Sequence, residues 1–277
     1  MTIYSAEQSL PILRAAFKQR RLIPFLGAGF SVPLQLPTWG ELVGWMAKKL
    51  DWEPELFELH GTFPQLAEFF SLEPHAFETL VHEMTRRFDA LEVDARRRIS
   101  PTHLALAAFP WKTIYTTNYD GHVEGALDDA GKQFHVLAST NDFQTSRRAE
   151  DACEVVKFHG TLSRPETIVL SESHYFARMG LNTAVDQRLR ADLLVNSFLF
   201  IGYGFTDTNI RYVWYRMKKL LAEQSGNEPR RSYFVSFGAD PVQPKLLDRW
   251  NIDIILLDPT DKSKSVAELL RGIGEER

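Results

Sequence analysis

The chain has 277 residues, of which 44% are hydrophobic and 25% charged. That balance is that of a globular protein and excludes a disordered or collagen-like chain, and a length of this order buries roughly 75% of the unfolded surface without covalent staples. With 32 basic and 36 acidic residues the formal net charge is -4, so no overall positive field exists to hold a polyanion, and nucleic acid is not an expected partner.

Residues 1–10 lack the basic and apolar regions of a signal peptide, and no apolar run approaches the roughly 18 residues of a membrane span, so neither export nor anchoring is expected. Short apolar runs, each followed by Gly, Asn or Asp and then a helix-period stretch, recur along the chain and predict alternating strand and helix. The first run, 21–26, ends in Phe25-Leu26-Gly27-Ala28-Gly29-Phe30-Ser31. Two glycines around one alanine let backbone N–H groups approach a diphosphate, and a purely structural turn explains the same pair. The usual dinucleotide fingerprint fails, because its third glycine position holds Val32 and no acid closes a second strand about 20 residues on. Thr38 opens a helix predicted over 39–50. More than eighty residues then separate the first strand from the second, where a crossover needs about a dozen. Residues 52–99, dense in Phe, Leu, Glu, His and Arg at three- and four-residue spacing, therefore predict a small helical subdomain inserted at about 51–100. Its crowded Trp52, Phe57, Phe63, Phe69, Phe70 and Phe77 fit either a subunit interface or ordinary packing.

The second strand, 113–116, delivers Thr117-Asn118-Tyr119-Asp120-Gly121 at its carboxyl end, where open α/β sheets place ligand-contacting residues. Asp120 also reads as the cap of a helix predicted over 120–130, whereas Asn118 has no obvious turn role. Residues 139–151 read as a polar loop. The third strand, 154–158, follows Cys153, the single cysteine, which permits neither an internal disulfide nor a four-thiolate zinc site and predicts a reducing, cytoplasmic setting. It presents His159-Gly160 at its end, and imidazole ordinarily titrates near neutral pH. After a helix predicted over 184–195, the fourth strand, 198–201, ends in Gly202-Tyr203-Gly204-Phe205-Thr206-Asp207-Thr208-Asn209, a glycine pair against which a nucleotide's sugar can lie. Asp207 and Asn209 either bond hydroxyls or cap a helix predicted over 209–222. Strands at 233–237 and 252–257 and a helix at 263–271 complete an α/β chain, a Rossmann-like parallel sheet of six strands with helices on both faces. His60, His75, His82, His103 and His174 lack metal-ligand spacing, so no metal is expected, and runs such as Arg96-Arg97-Arg98 read as solvated surface.

Taken together, Gly27-Ala28-Gly29-Phe30-Ser31, Thr116-Thr117-Asn118-Tyr119-Asp120, Lys157-Phe158-His159-Gly160 and Gly202-Tyr203-Gly204, in this order and at these separations, resemble the sirtuin-like superfamily. More narrowly, they resemble its prokaryotic branch found in anti-phage defence. The resemblance covers residues 22–209 and implies that the whole chain, 1–277, is one NAD-binding domain that cleaves the nicotinamide–ribose bond of NAD. It makes Gly27, Ala28, Gly29 and Ser31 the phosphate and ribose loop, Asn118 and Asp120 the nicotinamide-ribose motif, His159 the catalytic histidine and Gly202 and Gly204 the adenosine-side turn. Thr117, Asp207 and Asn209 complete the residues expected to contact NAD. Sirtuin deacylases carry a four-cysteine zinc ribbon that one cysteine cannot build, which favours plain NAD hydrolysis, with an NAD-sensing module or a zinc-independent deacylase as alternatives. In this reading Asn118 orients a ribose hydroxyl and the attacking water, Asp120 holds the carboxamide and His159 accepts a proton, so the rate is expected to rise with pH through roughly 6.5. An unregulated NAD hydrolase would drain its cell, so control is expected through homo-oligomerisation or a partner, a HerA-type ring ATPase or an Argonaute-like protein, as the resemblance implies.

Overall fold

Apolar strands buried on both faces need helices above and below them, and the chain supplies both. A computed structural model describes residues 2–145, 151–203, 211–212, 214–216, 218–219, 223, 230–238 and 240–275. Eight strands form one sheet: β1 (Ile3–Ser5), β2 (Leu22–Leu26), β3 (Thr113–Thr116), β4 (Phe134–Leu137), β5 (Cys153–Lys157), β6 (Ser197–Ile201), β7 (Ser232–Ser236) and β8 (Ile252–Leu256). Every pairing is parallel, in the order β1-β8-β7-β6-β2-β3-β5-β4. The fold is the Rossmann-like α/β class expected. The six expected strands lie within one residue of their predicted bounds, and two more, β1 and β4, close the edges of the sheet. Neither edge strand has the apolar run that marks a central one: β1 is three residues long, and β4 is half-buried except at Leu137.

Strand alternation divides the core. Leu26, Ile114, Val155, Leu199 and Ile201 face one side, against Leu13 of α1 (Ala6–Lys18), Val123 and Leu127 of α8 (His122–Asp129), and Leu270 and Ile273 of the helix Lys262–Gly274. Phe25, Tyr115, Val156, Phe198 and Phe200 face the other, against Val185, Leu189 and Leu193 of α11 (Ala184–Val195). Capping boxes start three of these elements' neighbours and members in the same way: Ser5 with Gln8, Thr38 with Glu41 at α2 (Trp39–Lys49), and Thr183 with Asp186.

Between β2 and β3 the chain forms α2, α3 (Pro54–Glu58), α4 (Phe63–Phe70), α5 (Ala76–Phe88), α6 (Leu91–Ile99) and α7 (Pro101–Ala107). Leu42, Met46, Phe57, Leu66, Phe70, Leu80 and Met84 make a third core there, into which Tyr119, Leu162, Ile168 and Leu170 reach from the lip of the sheet. Of the crowded aromatics, Phe57 and Phe70 are buried while Trp52 and Phe69 are exposed. Residues 140–145 of the expected loop are a short helix, α9 (Thr140–Thr145).

Strand order reverses at β2, with β3 on one side and β6 on the other, and such a reversal leaves a crevice at the carboxyl ends of the strands.

Candidate active site

Register sets the geometry of that crevice. Leu26 pairs with Thr116 and with Ile201, and Thr116 pairs with Lys157, so β2, β3, β5 and β6 all finish at one level. The next residues along each strand, Gly27, Thr117, Phe158 and Gly202, form the lip, and Asn118 and His159 follow one position further on neighbouring strands. Strands in such a ladder lie about 4.8 Å apart.

The loops after β2 and β6 touch each other. The amides of Gly27 and Gly29 donate to the carbonyls of Ile201 and Gly202, each at 2.9 Å. A Cβ at Gly27 would lie 2.7 Å from the Gly202 oxygen, and one at Gly29 2.8 Å from the Gly202 Cα. The pair therefore has a structural use, the close approach of two loops, and both amides expected to face a diphosphate are already engaged. The amide of exposed Ala28, at the start of the 3-10 turn Ala28–Leu34, has no partner among the described residues. Gly202 itself sits at φ +76°, with Phe30 N only 2.2 Å from where a Cβ would be. Gly202→Ala is expected to lose about 1–2 kcal/mol from the left-handed conformation alone, and more from the backbone clash, read as a lower urea midpoint. An unchanged midpoint would contradict this packing.

Asn118, 8% exposed, extends its Nδ2 to Ser31 Oγ at 3.2 Å and to the Gly27 carbonyl at 3.4 Å, which joins the β3 loop to the β2 loop. Among the described residues no donor reaches its Oδ1. Asp120, buried, accepts from the His122 amide at 3.0 Å, an Asx-turn bond to the first residue of α8, whose N-cap position is held by Gly121. The Thr117 hydroxyl meets the Tyr203 hydroxyl at 2.7 Å, and Tyr203 also reaches the Leu26 carbonyl at 3.3 Å, so a tyrosine that the sequence did not single out braces the lip. Gly204, Asp207 and Asn209, with half of the helix expected over 209–222, lie outside the described residues.

His159, two residues past the end of β5, lies in a small pocket with Phe158, Val169, Tyr175, Arg178, Met179 and Tyr212. The Tyr175 ring stands nearly perpendicular to it, the centroids 5.5 Å apart. Arg178 stacks on Phe158 at 4.6 Å, donates to the Phe158 carbonyl at 2.8 Å and pairs with fully buried Asp186. Tyr175 and Arg178 come from α10 (Glu172–Arg178), for which the sequence offered no signal. Among the described residues no group hydrogen-bonds either ring nitrogen of His159. Burial, with the Arg178 cation beside it, holds the imidazole down to about 3. The expectation that His159 titrates near neutrality is thereby corrected: the desolvated ring resists a proton, and it is neutral across the physiological range.

His103 behaves likewise, burial pushing it down to about 4. Both rings ordinarily titrate at 6.5, so below that pH the unfolded chain binds more protons than the folded one, and stability falls towards 4 and 3. The two together are expected to remove about 5 kcal/mol between pH 8 and pH 4.5, a window in which most carboxylates stay ionised. Urea midpoints should hold steady from pH 8 to 7 and decline below 6.5, with a shallower decline in His103→Gln. A midpoint constant down to pH 4.5 would overturn the burial argument.

Among the described residues, no group of three or more His, Cys, Asp or Glu side chains could hold a metal, and no helix is long and apolar enough to cross a membrane. The free thiol of Cys153 is buried, and burial pushes it up to about 12.

A family model described as the SIR2-like domain matches residues 112–255, which include Asn118, His159 and Gly202. The chain belongs to the SIR2-like family. This SIR2-like chain is 26% identical over 268 residues to the NAD(+) hydrolase ThsA of Cytobacillus dafuensis, a match covering 90% of the chain and 52% of that protein. It is 28% identical over 218 residues to the NAD(+) hydrolase ThsA of Acinetobacter baumannii, covering 78% of the chain and 43% of that protein. It is also 26% identical over 237 residues to Defense-associated sirtuin 2 of Bacillus subtilis, covering 82% of the chain and 22% of that protein. The SIR2-like chain thus spans about half the length, or less, of the curated relatives it matches.

Proposed function

We propose that this chain is an NAD glycohydrolase of anti-phage defence, releasing nicotinamide and ADP-ribose. One observation carries the reading: two buried polar side chains, Asn118 and His159, leave adjacent parallel strands at the same register level, and each has an acceptor atom that no described residue engages. The names of the relatives, NAD(+) hydrolases and a defence-associated sirtuin, agree with it.

The bond between ribose C1′ and the pyridinium nitrogen breaks with its electron pair passing to nitrogen, so nicotinamide leaves neutral and needs no general acid. The difficulty is the positive charge left on the sugar. An oxocarbenium-like transition state is stabilised by oriented dipoles where bulk water is excluded. Asn118 Oδ1 receives a ribose hydroxyl or the attacking water, whose oxygen bonds to C1′, and His159 takes the displaced proton. The free Ala28 amide, with Ser31 and Thr117, lines the path of the diphosphate and ribose, and Asp120, besides accepting from the His122 amide, holds the carboxamide. Gly202 bounds the adenosine side, with Gly204, Asp207 and Asn209 assigned to it by their place in the chain.

Incubation of purified protein with NAD is expected to yield free nicotinamide and ADP-ribose in equal amounts, resolved by chromatography. A homo-oligomer, or a complex with a ring ATPase, is the proposed form in which activity is controlled, and native mass measurement reads it. Silence from every such form would leave a module that binds NAD without cleaving it and would end the hydrolase reading.

A further inference from the structure

Lys157 is the last residue of β5, preceded by Val155 and Val156, and it is fully buried. Alternation puts it on the face of Cys153 and Val155, the face covered by Val123, Ala126 and Leu127 of α8. An apolar residue would complete that face, since a buried ammonium is costly unless paired and hydrogen-bonded. Its Nζ lies 3.1 Å from Glu124 Oε1 and donates to the backbone carbonyl of Asp120. Replacing a buried ion pair by apolar residues of similar volume is often neutral or stabilising, so stability alone gives no reason for this one.

What the ammonium supplies is direction. Other backbone groups of the turn between β3 and α8 are held locally or from the lip: Asn118 N donates to Thr116 Oγ1 at 3.0 Å, Tyr119 O accepts from Leu162 N at 3.0 Å, and Gly121 O accepts from Gly125 N at 2.8 Å. For the Asp120 carbonyl, Lys157 is the sole donor among the described residues. That carbonyl lies two residues from Asn118 in the turn that aims the Asn118 amide at Ser31 and Gly27.

We propose that Lys157 is a positioning residue of the candidate active site, its buried ammonium clamping the Asp120 carbonyl, with Glu124 neutralising the charge, so that the turn holds Asn118 in its working orientation. The effect on turnover rests on the NAD hydrolase reading. The clamp itself does not.

The test is the double variant Lys157→Met with Glu124→Gln, which removes the clamp without leaving an uncompensated charge. The all-apolar pair Lys157→Met with Glu124→Met serves if the first does not fold. Two readouts are taken on protein whose circular dichroism matches the wild type. Hydrogen exchange at the amides of 118–121 is expected to quicken about tenfold or more, with the strands unchanged. The kcat for nicotinamide release is expected to fall about 10²-fold, the scale of a misplaced catalytic group, with KM within about threefold. Wild-type exchange in the turn would overturn the clamp, and faster exchange with an unaltered kcat would overturn its positioning role. If the wild type releases no nicotinamide, the hydrolase reading fails, and exchange alone decides the clamp.

Discussion

Replacing Asn118 by alanine is expected to slow nicotinamide release 10²- to 10³-fold, about 3–4 kcal/mol, the usual loss for one positioned polar group at a developing charge. The amide plane is held from one end only, by Nδ2 on Ser31 Oγ and the Gly27 carbonyl. The free Oδ1 is therefore aimed before substrate arrives, and no reorganisation is needed as the bond breaks. Alanine removes the aimed acceptor and leaves the buried Ser31 Oγ without this partner, so a loss of about 1–3 kcal/mol, read as a lower urea midpoint, is expected beside the kinetic defect. The defect should appear in kcat more than in KM, because the interaction strengthens only as charge develops on the sugar. Near wild-type turnover in a folded Asn118→Ala protein would remove Asn118 from the chemistry.

His159→Gln is expected to lower kcat by about 10²- to 10⁴-fold, the range for a positioned proton acceptor. The accompanying pH profile separates the structural view of this residue from its sequence-based one. An imidazole held to about 3 is already neutral at pH 5.5, so the wild-type rate should be level from about 5.5 to 8 rather than climbing through 6.5. A base this weak accepts a proton only once that proton has become acidic, as on water or a ribose hydroxyl beside a forming oxocarbenium ion. Proton transfer then follows C–N cleavage, and solvent isotope effects on kcat should be small. A rate that rises through 6.5 would assign the titrating base to another group, and an unaffected His159→Gln variant would exclude the ring altogether.

The central strands were legible because each is a short run of four or five residues, buried throughout and built on apolar or β-branched side chains, bounded by turn residues and too short for a helix. β1 and β4 were not, since an edge strand is only half-buried and its residues carry no continuous signal. At the candidate site, Asn118 and His159 stood out because polar residues at strand ends have few turn roles. Two residues with two readings each have a structural use that the structure makes visible: Gly27 and Gly29 press against Gly202, 173 positions after Gly29, while Asp120 accepts locally from the His122 amide. Lys157 did carry a signal, a lysine in an apolar parallel strand, but its meaning depends on which carbonyl lies within reach.

The order of apolar runs and the polar residues placed after them determined the sheet class, the level at which four strands end and the residue types offered there. Only the tertiary structure decided what those residues are chemically. It brought Tyr175 and Arg178 from α10 onto His159, set Tyr203 against Thr117, and sealed Lys157 beneath α8. Periodicity is a local property that survives in one dimension, whereas desolvation and hydrogen-bond partnership depend on atoms distant in the chain, and these fix a proton affinity or the aim of an amide.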